Sequence, residues 1–315
     1  VSTKAGPNDF NINNKFYSYA YFLEKDKTWN TDFATAKPYI YNALIAYEHG
    51  TGEGTGFWAP AAHNTYYYWP KQGSLTFFAW TDNTPAPSVG TTGASVDCAP
   101  DTGIKITGYS VKDNRNKDIL VADIAKNKTA NESAAGNWKN GVPTVFRHAL
   151  AKVEFKVNKK IDDPKVEFRV KSITLNQVST KGTFTQGSPA ESWGWSAQPA
   201  TATDNLTVFT GDVKVTKTAD AGTYNELTPT DYSIVLPQTF DVNSPSKLTI
   251  VYDIITSYVA DDKKVTETVE ETKALNTIYT SGWECKKNYI LGITLGLNKI
   301  YWDPSVEGWE NGDVT

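Results

Sequence analysis

Methionine is absent from the 315 residues, and the chain opens at Val1. An initiator, and with it a secretion signal, is therefore expected to have been removed. Cysteine is scarce, with only Cys98 and Cys285. That usage fits an exported protein that does not rely on disulfides. The two are expected to stay unpaired, because they fall in different domains and a bridge needs Cα atoms within about 7 Å. Histidine is as scarce. His49, His63 and His148 show no His-Glu-x-x-His spacing. No Cys-x-x-Cys pair offers a zinc site, and no Gly-x-Ser-x-Gly elbow offers a nucleophile. No apolar run approaches ~18 residues, so nothing reads as a membrane-spanning helix. A net charge of -4 without a Lys/Arg cluster removes the electrostatic case for nucleic acid. Distant strands can bring two carboxylates together, as in glycosidases, but nothing in the spacing argues for such a pair. No catalytic residue, metal ligand or cofactor site is therefore nominated, and an enzyme is not expected.

What the chain has in quantity is β-forming material. There are 17 Tyr, 13 Phe and 10 Trp, and 15 Pro with 22 Gly punctuate the runs between them. A chain of 315 residues has room for two domains of ordinary size, each with its own core. The polar stretch 126–141 is the best linker and sets a boundary near Pro143. The expectation is an all-β protein with two domains in tandem, residues 1–143 and 144–315.

The organising stretch is 145–157. Ala151, Val153, Phe155 and Val157 alternate with Lys152, Glu154 and Lys156, which is a strand with one wet face. Its first half keeps the opposite parity, through Phe146, His148 and Leu150. Either a bulge near Ala149-Leu150 swaps the faces, or this half is buried on both sides. His148, set between apolar neighbours, reads as a hydrogen-bonded interface residue rather than a catalyst.

Elsewhere the chain offers strands, loops and a few candidate contacts. Lys15 to Leu23 reads as a central strand covered on both faces. The glycines between Glu48 and Gly56 lack the strand, helix and Lys of a phosphate-cradling loop, so a hairpin loop is expected. Tyr66 to Trp69 and Leu75 to Trp80 are densely aromatic. Core packing is the favoured reading, and a sugar-binding platform is the other. Pro85 to Gly103 reads as a loop that contains Cys98. Trp193 and Trp195 sit on a loop tip or hairpin, either exposed as a surface contact or tucked back onto the sheet. In the last strand, Tyr289, Leu291, Ile293, Leu295 and Leu297 share one face. Gly292, Thr294 and Gly296 on the other leave room for a neighbouring segment.

Several of these stretches together resemble the fimbrillin family, the pilins and related surface proteins of Bacteroidales. FRHALAKVEF at 146–155 resembles that family's F-x-H-A-L-[SA]-K strand. YWP at 68–70 with GSLTFFAW at 73–80 resembles a motif of its amino-terminal domain. DILVA at 118–122, SITL at 172–175, KGTF at 181–184 and VLPQ at 235–238 follow in order, and the end resembles I-x-[FW]-x-x-x-V-x-x-W. The resemblance implies two transthyretin-like β-sandwiches and a structural subunit, stalk or tip, of a cell-surface fimbria. It implies export to the outer membrane as a lipoprotein precursor, whose lipid is the sole membrane anchor. Other pilin subunits are the implied partners, with host or bacterial surface ligands beside them. Thr3-Lys4-Ala5 stands where the family has its T-R-A processing site, so Lys4 and Ala5 are the candidate cleavage residues, with Lys in place of Arg. Protease trimming would then trigger strand exchange between subunits. Ile300, Trp302, Val306 and Trp309 form the candidate assembly tail. The rival function, from the residues, is a carbohydrate-binding surface lipoprotein that uses Trp193, Trp195 or the Tyr66–Trp69 cluster.

Overall fold

A computed structural model of the chain describes residues 10–48, 56–62, 65–90, 92–130, 141–197, 203–217, 224–257, 263–297 and 299–302. The described chain is almost entirely β. It divides into two compact units, Val1–Leu150 with Lys181–Gln198, and Ala151–Thr180 with Pro199–Thr315. The division falls at Leu150–Ala151 rather than near Pro143, and a later hairpin returns to the first unit.

The strands of the first unit up to this point are β1 (Phe16–Leu23), β2 (Lys37–Glu48), β3 (Phe57–Pro60), β4 (Ser74–Thr81), β5 (Ser95–Ala99), β6 (Gly103–Ser110), β7 (Leu120–Ala122), β8 (Ala125–Lys128) and β9 (Phe146–His148). In the second unit, β10 (Ala151–Lys159) and β11 (Val166–Ser179) come next. The returning hairpin is β12 (Lys181–Thr185) and β13 (Gly194–Ala197). The second unit then resumes with β14 (Thr203–Lys214), β15 (Asn225–Leu227), β16 (Ile234–Val235), β17 (Lys247–Ser257), β18 (Lys264–Ala274), β19 (Asn288–Gly296) and β20 (Lys299–Trp302).

Two sheets build the first unit. One runs β3-β2-β1-β4-β7-β9, with β8 also on β4; the other runs β13-β12-β6-β5. Tyr19, Tyr21 and Leu23 share a parity of β1 and are buried toward the second sheet, where the Tyr21 hydroxyl donates to the Cys98 carbonyl. The opposite parity of β1 carries Phe16 into a separate aromatic cluster. Phe10 stacks on Phe146 with ring centroids 5.1 Å apart, and Phe16 and Trp58 close around both. Both faces of β1 are therefore covered, as its two aromatic parities predict. Cys98 lies in β5, so part of the 85–103 stretch is a strand and not a loop. Its Pro and Gly punctuation masks the short alternation of Val96, Cys98 and their exposed neighbours.

The organising stretch breaks into two strands. β9 pairs with β7 in the first unit, and β10 enters the second. Arg147 and His148 are exposed, so this half is not buried on both sides. His148 binds Asp118 through Nδ1 at the surface, not in a buried contact. The change of parity comes from a break between strands. Ala149 and Leu150 are buried there, and the Ala149 N–H donates to Ile119 O at 2.7 Å.

Two further sheets build the second unit. One runs β15-β10-β19-β20, with β16 also on β10; the other runs β14-β11-β17-β18. Alternation does what the sequence asks in β10, where Ala151, Val153, Phe155 and Val157 are all buried. Leu291, Ile293 and Leu295 of β19 and Phe168, Val170 and Tyr252 add to the same apolar interior. β10 and β19 pair in parallel over eight residues, Lys152↔Asn288 to Lys159↔Leu295. The wet face of the β11 sheet carries a ladder of charges. Lys214 meets Glu167, Arg169 meets both Glu167 and Asp212, and Lys171 meets Asp212 and Asp253.

Candidate assembly edge and surface aromatics

A sheet that adds a strand needs an edge with unpaired main-chain groups, long and regular enough to template one. Most edges of the second unit are closed to this. Residues 230–232 cover β14, where Tyr232 N donates to Thr207 O at 3.1 Å and Thr230 N to Val208 O at 3.1 Å. β18 pairs with β17 over its whole length, and Glu267, Glu271 and Lys273 lie on the parity that Val269 shares opposite buried Tyr252. Charges on the core-facing parity are a known guard against edge pairing. Burial pushes the Lys273 ammonium below its ordinary pKa, consistent with an inward aim. β15 and β16 span only three and two residues.

The edge of β19 differs. Its far half takes an added strand, β20, in antiparallel register from Ile293↔Trp302 to Gly296↔Lys299. Among the described residues its near half, Asn288 to Gly292, has β10 as its one strand neighbour, and Ile290 there is 52% exposed. Ile300 and Trp302 of the candidate tail therefore lie on this edge through their backbone. Val306 and Trp309 lie outside the described residues, as do Lys4 and Ala5.

The room left by the small-residue face has an occupant from this chain. A Cβ at Gly292 would stand 2.9 Å from the ring of Tyr224. Tyr224 carries no motif, and only the glycine hinted at it.

The two tryptophans of the hairpin are half-buried. The Trp193 ring lies 5.4 Å from that of Phe184, and Trp195 lies 5.5 Å from Phe184 and 5.8 Å from Tyr109. Trp195 Nε1 donates to Ala149 O at 2.6 Å, at the break between β9 and β10. Trp195 is thus a support for that break.

The aromatic run before β4 divides. Phe78, Ala79 and Trp80 are core. Tyr66, Tyr67, Tyr68 and Trp69 precede the strand and are exposed, Tyr68 by 76%. The Tyr39 hydroxyl donates to Tyr68 O at 2.6 Å, and Trp69 packs on Phe77 at 5.7 Å. Core packing therefore holds for the strand and fails for the segment before it, because Pro70 ends that segment outside the sheet.

Among the described residues no group of His, Cys, Asp and Glu is arranged to hold a metal. Among them, too, no helix is long and apolar enough to cross a membrane. What stands out is sheet edges and surface rings, the equipment of a protein that works by its surfaces. Comparison with known proteins gives this class a family. The fimbrillin-like family profile matches residues 3–309, and the chain belongs to that family. No match is found among curated proteins. Among solved structures it is similar to a proposed cell adhesion protein of Bacteroides uniformis, at 14% identity over 93% of this chain and 91% of that one, with a TM-score of 0.47. Another, from Parabacteroides distasonis, is 11% identical over 95% and 86%, with a TM-score of 0.45. A third, from Bacteroides ovatus, is 16% identical over 96% and 90%, with a TM-score of 0.43.

Proposed function

We propose that this chain is a structural subunit, stalk or tip, of a cell-surface fimbria, exported as a lipoprotein precursor and assembled with other pilin subunits by strand exchange. Membership of the fimbrillin-like family supports the class. One observation carries the mechanism: the β19 edge takes a strand, and the strand it takes here is the chain's own Lys299–Trp302. Four residues in an antiparallel ladder at a sheet edge are a small gain to set against a longer donor. A donor reaching back over Asn288 to Gly292 would also pair the half of the edge that β20 leaves open. Trimming at Lys4 and Ala5 is the proposed trigger, and Ile300, Trp302, Val306 and Trp309 the proposed tail that supplies or seats the incoming strand. The function is adhesive and structural rather than catalytic.

The test is to express the full precursor, treat it with a Lys-specific protease, and follow polymers by electrophoresis and electron microscopy. The same is done for a chain cut back to Leu297. Ladders in the first and none in the second are expected, with the first unit folded in both. Trimmed full-length protein that stays monomeric would sink the stalk reading.

A further inference from the structure

The exposed rings ahead of β4 are not absorbed by strand exchange. Tyr39 and Tyr66 to Trp69 form a patch of flat rings, four phenols and one indole, with no aliphatic side chain in the run. The patch adjoins a cleft of about 380 Å³ lined by Lys25, Pro70, Lys71, Gln72, Gly73 and Thr129, among others. Phe22 joins the two. Its ring lies 6.4 Å from that of Tyr39, and a Cβ on Gly73 would stand 2.6 Å from it. Gly73, at φ +81, is the residue that lets the cleft wall come so close. Among the described residues no carboxylate lines the cleft, and none is paired with Lys25 or Lys71.

From these rings and unpaired ammonium groups we infer an acidic-oligosaccharide site, in which sugar faces stack on Tyr68 and its neighbours and a uronate or sialate carboxylate meets Lys25 and Lys71. The chemistry selects this occupant. A sugar ring offers a face of C–H groups to an aromatic ring and hydroxyls to Tyr and Gln72. Two ammonium groups lining one cleft with no paired carboxylate favour an anion. Single-stranded nucleic acid also stacks on aromatics, but it needs a basic groove that tracks many phosphates. Two lysines on a chain of net charge -4 do not provide one. The site lies wholly in the first unit, so it stands or falls separately from the β19 edge.

Titration calorimetry on the full chain tests it with tetragalacturonate, a hyaluronan tetrasaccharide and sialyllactose. Controls are the methyl-esterified tetragalacturonate and an oligothymidylate. At least one acid is expected to bind, with tetragalacturonate, if bound, losing about tenfold on esterification. Binding should weaken with salt, as screening requires. Tyr68→Ala should cost about tenfold and Lys71→Gln several-fold, on the scale of a lost ring stack or ion pair. Tyr68 is exposed enough for its variant to keep an unchanged thermal transition. No binding of any acid at about millimolar concentration, equal binding of acid and ester, an unchanged affinity in Tyr68→Ala, or preference for the oligonucleotide would each overturn the inference.

Discussion

The side-chain amide of Gln186 donates to the main-chain carbonyl of Ala122 at 2.8 Å, tying the turn after β12 to the opposite sheet of the first unit. The same amide accepts from Ile104 N at 3.1 Å, and Gln186 is fully buried. Replacement by Leu leaves a buried N–H and a buried C=O unsatisfied. Each such orphan costs about 1–3 kcal/mol. Gln186→Leu is therefore expected to lower stability by about 2–4 kcal/mol, read as an earlier urea transition. A loss below about 0.5 kcal/mol would mean that water replaces both bonds.

The hairpin makes a second prediction, about fragments. Residues 1–143 lack β9, β12 and β13, and β12 is the inner neighbour of β6. Ile106 stands opposite Phe184 of β12 and Tyr109 opposite Gly182, and both Ile106 and Tyr109 are fully buried. A 1–143 fragment should show no cooperative thermal transition. Residues 1–150 joined by a flexible linker to 181–197 should show one. A sharp transition in the short fragment would make the hairpin an accessory.

Much of this was legible in the sequence, and the failures have physical causes. Period-two alternation found β10 and β11 because one face of each is wet. It failed at 145–150 because a change of parity looks alike whether the strand bulges, is buried twice, or breaks. The break became visible only with Ala149 held by Ile119 and Trp195, both distant in sequence. The hairpin's place in the first unit was equally hidden, since KGTF reads the same in either unit. Gly292 flagged a close approach but could not name Tyr224. Gln186 had no signal, because a buried amide and an exposed one are the same letter.

The charged ladder predicts a pH response. The Arg169 guanidinium and the Lys171 ammonium hold Asp212 well below the ordinary carboxylate range, and Lys214 and Arg169 lower Glu167 likewise. Carboxylates depressed in the fold stabilise it above their unfolded pKa, and that support is lost as pH falls through the folded values. Stability should thus decline as pH drops below about 4. Asp212→Asn should shallow that decline while changing little at neutral pH, because exposed pairs are weak. Equal slopes for both proteins between about pH 4 and 2 would remove the ladder from the account.

The cysteines differ in access. No disulfide is present among the described residues, which include both. Cys98 is buried, and burial pushes its thiol well above the usual range, while Cys285 is half-buried. Only the thiolate reacts readily. Native protein should therefore label at Cys285, and at Cys98 only on unfolding. Mass spectrometry without reductant should find both thiols intact. A mass lower by two hydrogens would show a bridge instead.

Tyr224 and Gly292 make the last prediction, because the sign of a substitution depends on the pair. Gly in a strand interior loses more entropy on folding than Ala, so Gly→Ala in open space stabilises by about 0.4–1 kcal/mol. Here the new Cβ would press on the Tyr224 ring at 2.9 Å. The ring's far end must shift, and forced shifts in packed sites cost about 1–3 kcal/mol. Gly292→Ala should therefore destabilise the wild type and stabilise the Tyr224→Ala variant. The coupling in the double-mutant cycle should reach about 1–2 kcal/mol. Additive effects would mean that the small face of β19 is not kept small for this ring. Its glycines would then have to be explained by what approaches from outside, and the same Gly292→Ala variant, scored for polymer formation after trimming, would show whether that visitor is a second subunit.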